Sequence, residues 1–197
     1  MSWFAPRLFA VLALSTSVAA AQTPNTTSPN VGEVAPDFTL HGATKDGVTP
    51  KPLTLSSYRG QTVVLAFFPR ARSSGCTHQM QAYRDRYSQL FHQGKNVTLI
   101  AISTDADTTL AAWAKEQGFP FYFASDMGGK VGTTYGAFVN QYGGVDMRLL
   151  YVVGPDGKIT YRAQPFKELV EASYTDLGHE IDATTAHASG GGAGASR

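Results

Sequence analysis

The chain holds a single cysteine, Cys76, in surroundings that bear on what a thiol can do. Arg70 and Arg72 precede it across a polar turn that ends in Gly75, and Thr77, His78 and Gln79 follow. Sulfur acts as a nucleophile in its thiolate form. That form is favoured beside basic side chains and at the first turn of a helix, where unpaired N–H groups and the positive end of the dipole meet. The competing reading is a small buried hydrophobe, since free cysteine is among the most buried residue types. Position alone leaves a reactive and a structural cysteine evenly matched. Being the only cysteine, it cannot form an internal disulfide.

The elements that would hold Cys76 follow from the apolar pattern. Val63–Phe68 is a continuous apolar run, as expected of a strand buried on both faces of a parallel or mixed sheet. Pro69 ends it, and Arg70–Gly75 forms the turn. From Thr77 a helical pattern begins, with Met80, Tyr83, Tyr87, Leu90 and Phe91 spaced by three and four. Upstream, Pro36–Leu40 and Pro52–Leu55 read as short strands separated by a loop carrying Gly42, Gly47 and Pro50. Downstream, Val97–Ser103 is the next buried strand. Asp105 or Asp107 then caps a helix over Thr108–Gln117, which buries Leu110, Ala111 and Trp113 or Ala114 and stops at Gly118.

Phe121–Ala124 is predicted as a strand and Gly129–Ala137 as a short helix or turn. Leu149–Val153 and Lys158–Tyr161 pair through Pro155-Asp156-Gly157. Pro165 opens a last helix that carries Phe166, Leu169, Val170, Leu177 and Ile181 on one side. Strands alternating with helices predict an α/β fold with a mixed central sheet and helices on both faces.

The 197 residues suffice for one domain with a proper core, and a formal net charge of +1 offers no basic surface for nucleic acid. Met1–Ala21 reads as a signal peptide: Arg7, an apolar stretch over Leu8–Leu14, then Ala19-Ala20-Ala21 for cleavage. Export to a bacterial periplasm or secretion is expected. The rival is an uncleaved anchor, although the apolar run is short for a span. Residues 22–30 are expected to be a disordered linker, 31–182 the folded domain and 183–197 a disordered tail. His41, His92, His179 and His187 show no metal-ligand spacing, and His78 is expected to be an exposed helix residue.

Four separated motifs carry a resemblance. Pro69 to Cys76 is similar to the P-x-x-x-[TS]-x-x-C signature of peroxiredoxins, the alkyl hydroperoxide reductase/thiol-specific antioxidant family. Gly75-Cys76-Thr77-His78-Gln79 with Tyr83-Arg84-Asp85 resembles the Q-type, bacterioferritin-comigratory-protein branch. Val31–Leu40 resembles that family's opening strand. Arg148, ahead of Leu149–Val153, matches its second active-site arginine. The resemblance spans about Val31 to Phe166. It implies a thioredoxin-like fold, a hydroperoxide substrate and no cofactor.

A peroxide bond breaks when a thiolate attacks one oxygen while the other leaves, which requires donors for the developing charge and in-line alignment. By this resemblance Cys76 is the nucleophile and Arg148 orients thiolate and peroxide. Ser73 offers a hydroxyl across the turn and Pro69 shields the sulfur. Gly75 contributes backbone N–H, and Gln79 matches a position that helps hold Arg148. Without the motif, Arg148 reads as a solvated arginine, Ser73 as a turn hydrogen bond and Pro69 as a strand terminator.

Two departures shape the expected cycle. Gln81 stands where the Q-type branch often has a resolving cysteine, so regeneration falls to an external thiol: a thioredoxin-like or glutaredoxin-like protein, or a small thiol. Ser73 replaces the family's threonine, and Ser74 stands where proline is common. A disulfide oxidoreductase would need a second cysteine, and a copper carrier would need paired cysteines. A thioredoxin-fold redox-sensing or binding module without turnover remains the alternative. Whether the chain forms a homodimer is left open.

Overall fold

The computed structural model describes Met1 and residues 28–190. The rest of the expected signal segment, residues 22–27 of the linker and the last part of the tail lie outside the described residues. The strands are β1 (Thr39–Thr44), β2 (Gly47–Val48), β3 (Leu53–Thr54), β4 (Thr62–Phe67), β5 (Val97–Ser103), β6 (Tyr122–Ser125), β7 (Phe138–Val139), β8 (Val145–Asp146), β9 (Leu149–Val153) and β10 (Ile159–Ala163). The helices are α1 (Ser74–Asp85), α2 (Tyr87–Leu90), α3 (Asp107–Gln117), α4 (Lys130–Tyr135) and α5 (Glu171–Gly190).

The sheet runs β10-β9-β4-β5-β6-β1-β2, with β3 on β1, and β7 and β8 form a separate ribbon. The β4–β5 and β5–β6 pairs are parallel, whereas β9 joins β4 antiparallel, so the sheet is mixed. Alternation along the central strands splits the core in two. Val64, Ala66 and Phe68 face one side with Leu99, Ala101 and Leu150, packed against Met80, Tyr83, Leu110, Trp113, Leu177 and Ile181 of α1, α3 and α5. Val63, Leu65 and Phe67 face the other side with Ile100 and Ile102, against Val131 and Tyr135 of α4. Each such aromatic or aliphatic burial contributes roughly 1.5–3 kcal/mol. Helices thus cover both faces, as the pattern predicts. No helix among the described residues is long and apolar enough to cross a membrane.

Several expectations are corrected. The first strand is Thr39–Thr44 rather than Pro36–Leu40, because Asp37 turns the chain: its carboxylate accepts from Phe38 N, Ser56 N and Ser56 Oγ at 3.0, 2.9 and 2.7 Å. Gly42 lies within that strand and Gly47 begins its hairpin partner, so the expected loop is mostly strand. The helix of Cys76 starts at Ser74 rather than Thr77, and it breaks at Arg86 before α2. The N-cap of α3 is Ala106, without a side-chain cap; neither Asp105 nor Asp107 takes that place. Of the linker residues described, Pro29 is buried, Ser28 half-buried and Asn30 exposed.

Pro165 does not open a helix. The Gln164–Pro165 peptide is cis, α5 begins at Glu171, and Leu169 and Val170 are exposed instead of lying on a buried face. Segment 165–170 is a loop that crosses over Arg148, with Phe166 N donating to Arg148 O at 3.0 Å. The expected tail is also helical as far as Gly190. Hydroxyl pairs tie that stretch to the sheet, Thr184 to Thr160 at 2.8 Å and Thr185 to Thr62 at 2.9 Å, and Thr184 is buried. These contacts give residues 183–185 something to dock against, which composition alone does not reveal.

Candidate active site

Strand β4 lies between β9 and β5, and past its end Phe68 N continues the ladder by donating to Ile102 O at 2.9 Å. Pro69 then breaks the pairing, and the chain turns through Arg70–Ser73 into α1. Asp105, just past β5, secures this turn: its Oδ2 accepts from Ala71 N at 2.7 Å and from Ser103 Oγ at 2.9 Å. Arg72 takes a left-handed backbone (φ +62) and pairs with Glu116, Nη2 to Oε1 2.6 Å. The first bond of α1 runs from Thr77 N to Ser73 O at 2.8 Å. The N–H groups of Ser74, Gly75 and Cys76 therefore lie outside the helix ladder, and Ser73 supplies no side-chain cap.

Cys76 is fully buried, a member of the apolar cluster that contains Phe68, Ala71, Met80, Tyr83 and Phe166. Burial by itself would fit the structural reading. The decisive geometry is polar: Arg148 Nη2 lies 3.4 Å from Cys76 Sγ, across 72 residues of sequence. Gly75 makes room for that contact, since a Cβ there would sit 2.5 Å from Arg148 Nη2 and 3.0 Å from Glu168 Oε1. The Arg148 side chain is four-fifths buried, and its Nε faces Glu168 Oε1 at 3.3 Å. A guanidinium against a buried sulfur complements an anionic thiolate and the oxygens of a bound oxidant.

The other expected residues are placed as follows. Pro69, half-buried, lines with Arg148, Met147, Pro165, Phe166 and Leu169 a cavity of about 260 Å³. Ser73 is exposed, and its hydroxyl donates to Arg70 O at 3.0 Å, a turn bond with no hydrogen bond to the sulfur. Gln79 is buried, but its Nε2 donates to Tyr83 OH at 3.0 Å and it makes no hydrogen bond to Arg148. Burial drives the Tyr83 phenol well above its ordinary range, with the Gln79 bond and the Arg148 charge pulling it back. The phenol is thus a neutral part of the wall beneath Arg148. His78 is exposed, as expected.

Two residues beside the site escape sequence reading. Glu168 falls in what looked like a helix, and Asp105 looked like a helix cap; only the Asp residue just after an apolar strand could have signalled a turn anchor. Among the described residues no group of three or more His, Cys, Asp or Glu side chains is placed to hold a metal ion.

Comparison with known proteins places these features in a lineage. Residues 31–162 match the AhpC/TSA family. Peroxiredoxin Q, chloroplastic, of Triticum aestivum is 36% identical over 144 residues, covering 71% of this chain; the chain spans 63% of that relative's length, under two thirds. A putative peroxiredoxin of Mycobacterium tuberculosis is 37% identical over 140 residues, 68% of this chain and 84% of the relative. Among solved structures, peroxidoxin BcpB from Mycobacterium tuberculosis superposes with a TM-score of 0.66 at 25% identity, covering 78% of this chain and 96% of that one. The mixed sheet flanked by helices is accordingly a thioredoxin-like fold.

Proposed function

Because this chain belongs to the AhpC/TSA family of peroxiredoxins, in its Q-type branch, we propose that it is a thiol-dependent peroxidase acting through Cys76 in a one-cysteine cycle. The observation that carries the reading is the 3.4 Å contact between Arg148 Nη2 and Cys76 Sγ at the start of α1. The thiolate attacks the terminal oxygen of a hydroperoxide, the O–O bond breaks, and the other oxygen leaves as alcohol or water, taking up the proton that the thiol released on ionising. Cys76 is left as a sulfenic acid. Arg148 and the free N–H groups of Gly75 and Cys76 offer positive charge and donors to the oxygens as charge develops. Pro69 walls the cavity against Arg148, and Ser73 and Gln79 act through the turn and through Tyr83.

With one cysteine in the chain, a first external thiol condenses with the sulfenic acid to a mixed disulfide and water. A second thiol then releases Cys76 as the thiol together with an external disulfide. Met1–Ala21 fits the same proposal as an export signal, checked by the N-terminal mass of the mature chain.

The test is direct. Equimolar hydrogen peroxide adds one oxygen at Cys76 within seconds, trapped by dimedone, and thiols restore the sulfur over many cycles. Oxidation without recycling by any thiol supports a redox sensor instead. Oxidation no faster than that of free cysteine removes both readings.

A further inference from the structure

Resting on the peroxidase reading above, the geometry points to Glu168 as the residue that positions Arg148 on the sulfur. An arginine side chain is long and rich in rotamers, so a guanidinium held at 3.4 Å from one atom needs a restraint. The Arg148 backbone is fixed where Phe166 N donates to its carbonyl at 3.0 Å. Beyond that, the ionic partner of the side chain is Glu168, whose Oε1 stands 3.3 Å from Nε.

Glu168 takes no hydrogen bond from the guanidinium: its 3.3 Å approach to Nε is an ion pair without hydrogen-bond geometry, and Nη2 is the nitrogen that reaches Cys76. One end of the guanidinium thus faces the carboxylate charge and the other is presented to the reacting atom. Both side chains are about four-fifths buried, where charge is weakly screened. Glu168 is itself held, because Tyr174 OH from α5 donates to its backbone carbonyl at 2.7 Å. At Gly75 the three elements converge: a Cβ there would crowd both Arg148 Nη2 and Glu168 Oε1. The order of restraint runs from α5 through Glu168 and Arg148 to the first turn of α1. Glu168 touches neither sulfur nor peroxide; it is a positioning residue.

The experiment follows Cys76 oxidation by hydrogen peroxide in the full chain, with 15N NMR of the Arg148 Nε–H group alongside. Glu168→Ala slows oxidation about 10-fold or more, since small misplacements at a reacting centre carry large rate penalties. Glu168→Gln, similar in size but uncharged, stays slow. In the Arg148→Ala background Glu168→Ala has no further effect, because the two residues act as one unit. The Arg148 Nε–H resonance moves to the position of solvent-exposed arginines in Glu168→Ala while the melting temperature holds. A wild-type rate in Glu168→Ala, or an equal further loss in the Arg148→Ala background, overturns the assignment. A wild-type chain oxidised no faster than free cysteine overturns the peroxidase reading. The positioning claim then stands or falls on the resonance: unmoved by Glu168→Ala, it is overturned.

Discussion

Two groups that can lose a proton are sealed inside this protein near Arg148, one close to it in space and one close in chain. Cys76 and Asp146 are both fully buried. The sulfur has a guanidinium at 3.4 Å. Among the described residues the carboxylate has no such partner: both Asp146 oxygens lack a hydrogen bond, one is close against Gly132, and the charge facing it is Asp126. Burial penalises the Asp146 anion with no cation facing it, whereas a cation stands beside the sulfur. In the acidic corner, burial first and then Asp126 push the Asp146 carboxyl up to about 8. A buried acid is therefore not in itself a reactive site. What separates the two regions is the arginine, which stands beside the sulfur and is paired with Glu168.

The largest effect is expected at the sulfur itself. Cys76→Ser is expected to abolish thiol-dependent peroxide consumption; residual turnover above the thiol blank would assign the chemistry elsewhere. Arg148→Ala removes the cation and makes the two buried acids alike. We expect Cys76 oxidation, followed by stopped flow, to slow by about 10²–10³-fold with the circular dichroism unchanged. A wild-type rate in that variant would erase the distinction between the regions.

Gly75→Ala tests the same contact sterically. Its Cβ would lie 2.5 Å from Nη2, so Arg148 must withdraw, and a loss of about 10-fold or more is expected in the same assay.

The acidic corner makes a prediction about stability. An unfolded aspartate ionises near 4, whereas folded Asp146 does so at about 8. Between those values the folded chain keeps a proton that the unfolded chain has lost. The stabilisation from the neutral carboxyl is thus complete below about pH 4 and fades as pH climbs through about 8. Calorimetry should show the melting temperature of the wild-type chain falling across that window. Asp146→Asn should flatten the fall by on the order of 10 °C, and an equal slope in both chains would contradict the burial argument. The smallest effect is expected from Ser73→Ala. Its hydroxyl serves Arg70 O in an exposed turn, so stability should drop by about 1 kcal/mol or less in urea titrations. A hundredfold loss of rate would show the hydroxyl acting on the sulfur.

Much of the fold is written in local pattern. The run Val63–Phe68 reads as a doubly buried strand because it has no polar face, and Pro69 ends it because it cannot donate to a ladder. Met80, Tyr83, Leu90 and Phe91 are buried as their spacing predicts. The hairpin through Asp156-Gly157 is similarly legible. Where the reading slipped, a distant partner had decided the matter. Leu169 and Val170 have helical spacing, yet they belong to a loop that spans Arg148. Residues 183–185 look like the start of a featureless tail, yet hydroxyl contacts to β4 and β10 keep them helical.

Local pattern supplies the parts: one sulfur at a strand-to-helix turn, an arginine before the next central strand, and the apolar periods that place both at the same end of a sheet. Those follow from interactions between near neighbours, which a one-dimensional pattern records. Only the tertiary structure decided which charge meets which atom, that Arg148 reaches Cys76 with Glu168 on its Nε while Asp146 is left facing Asp126. Such pairings depend on how segments from 20 to 72 residues apart settle over one another, and side-chain reach of a few ångströms separates a partnered buried group from an unpartnered one.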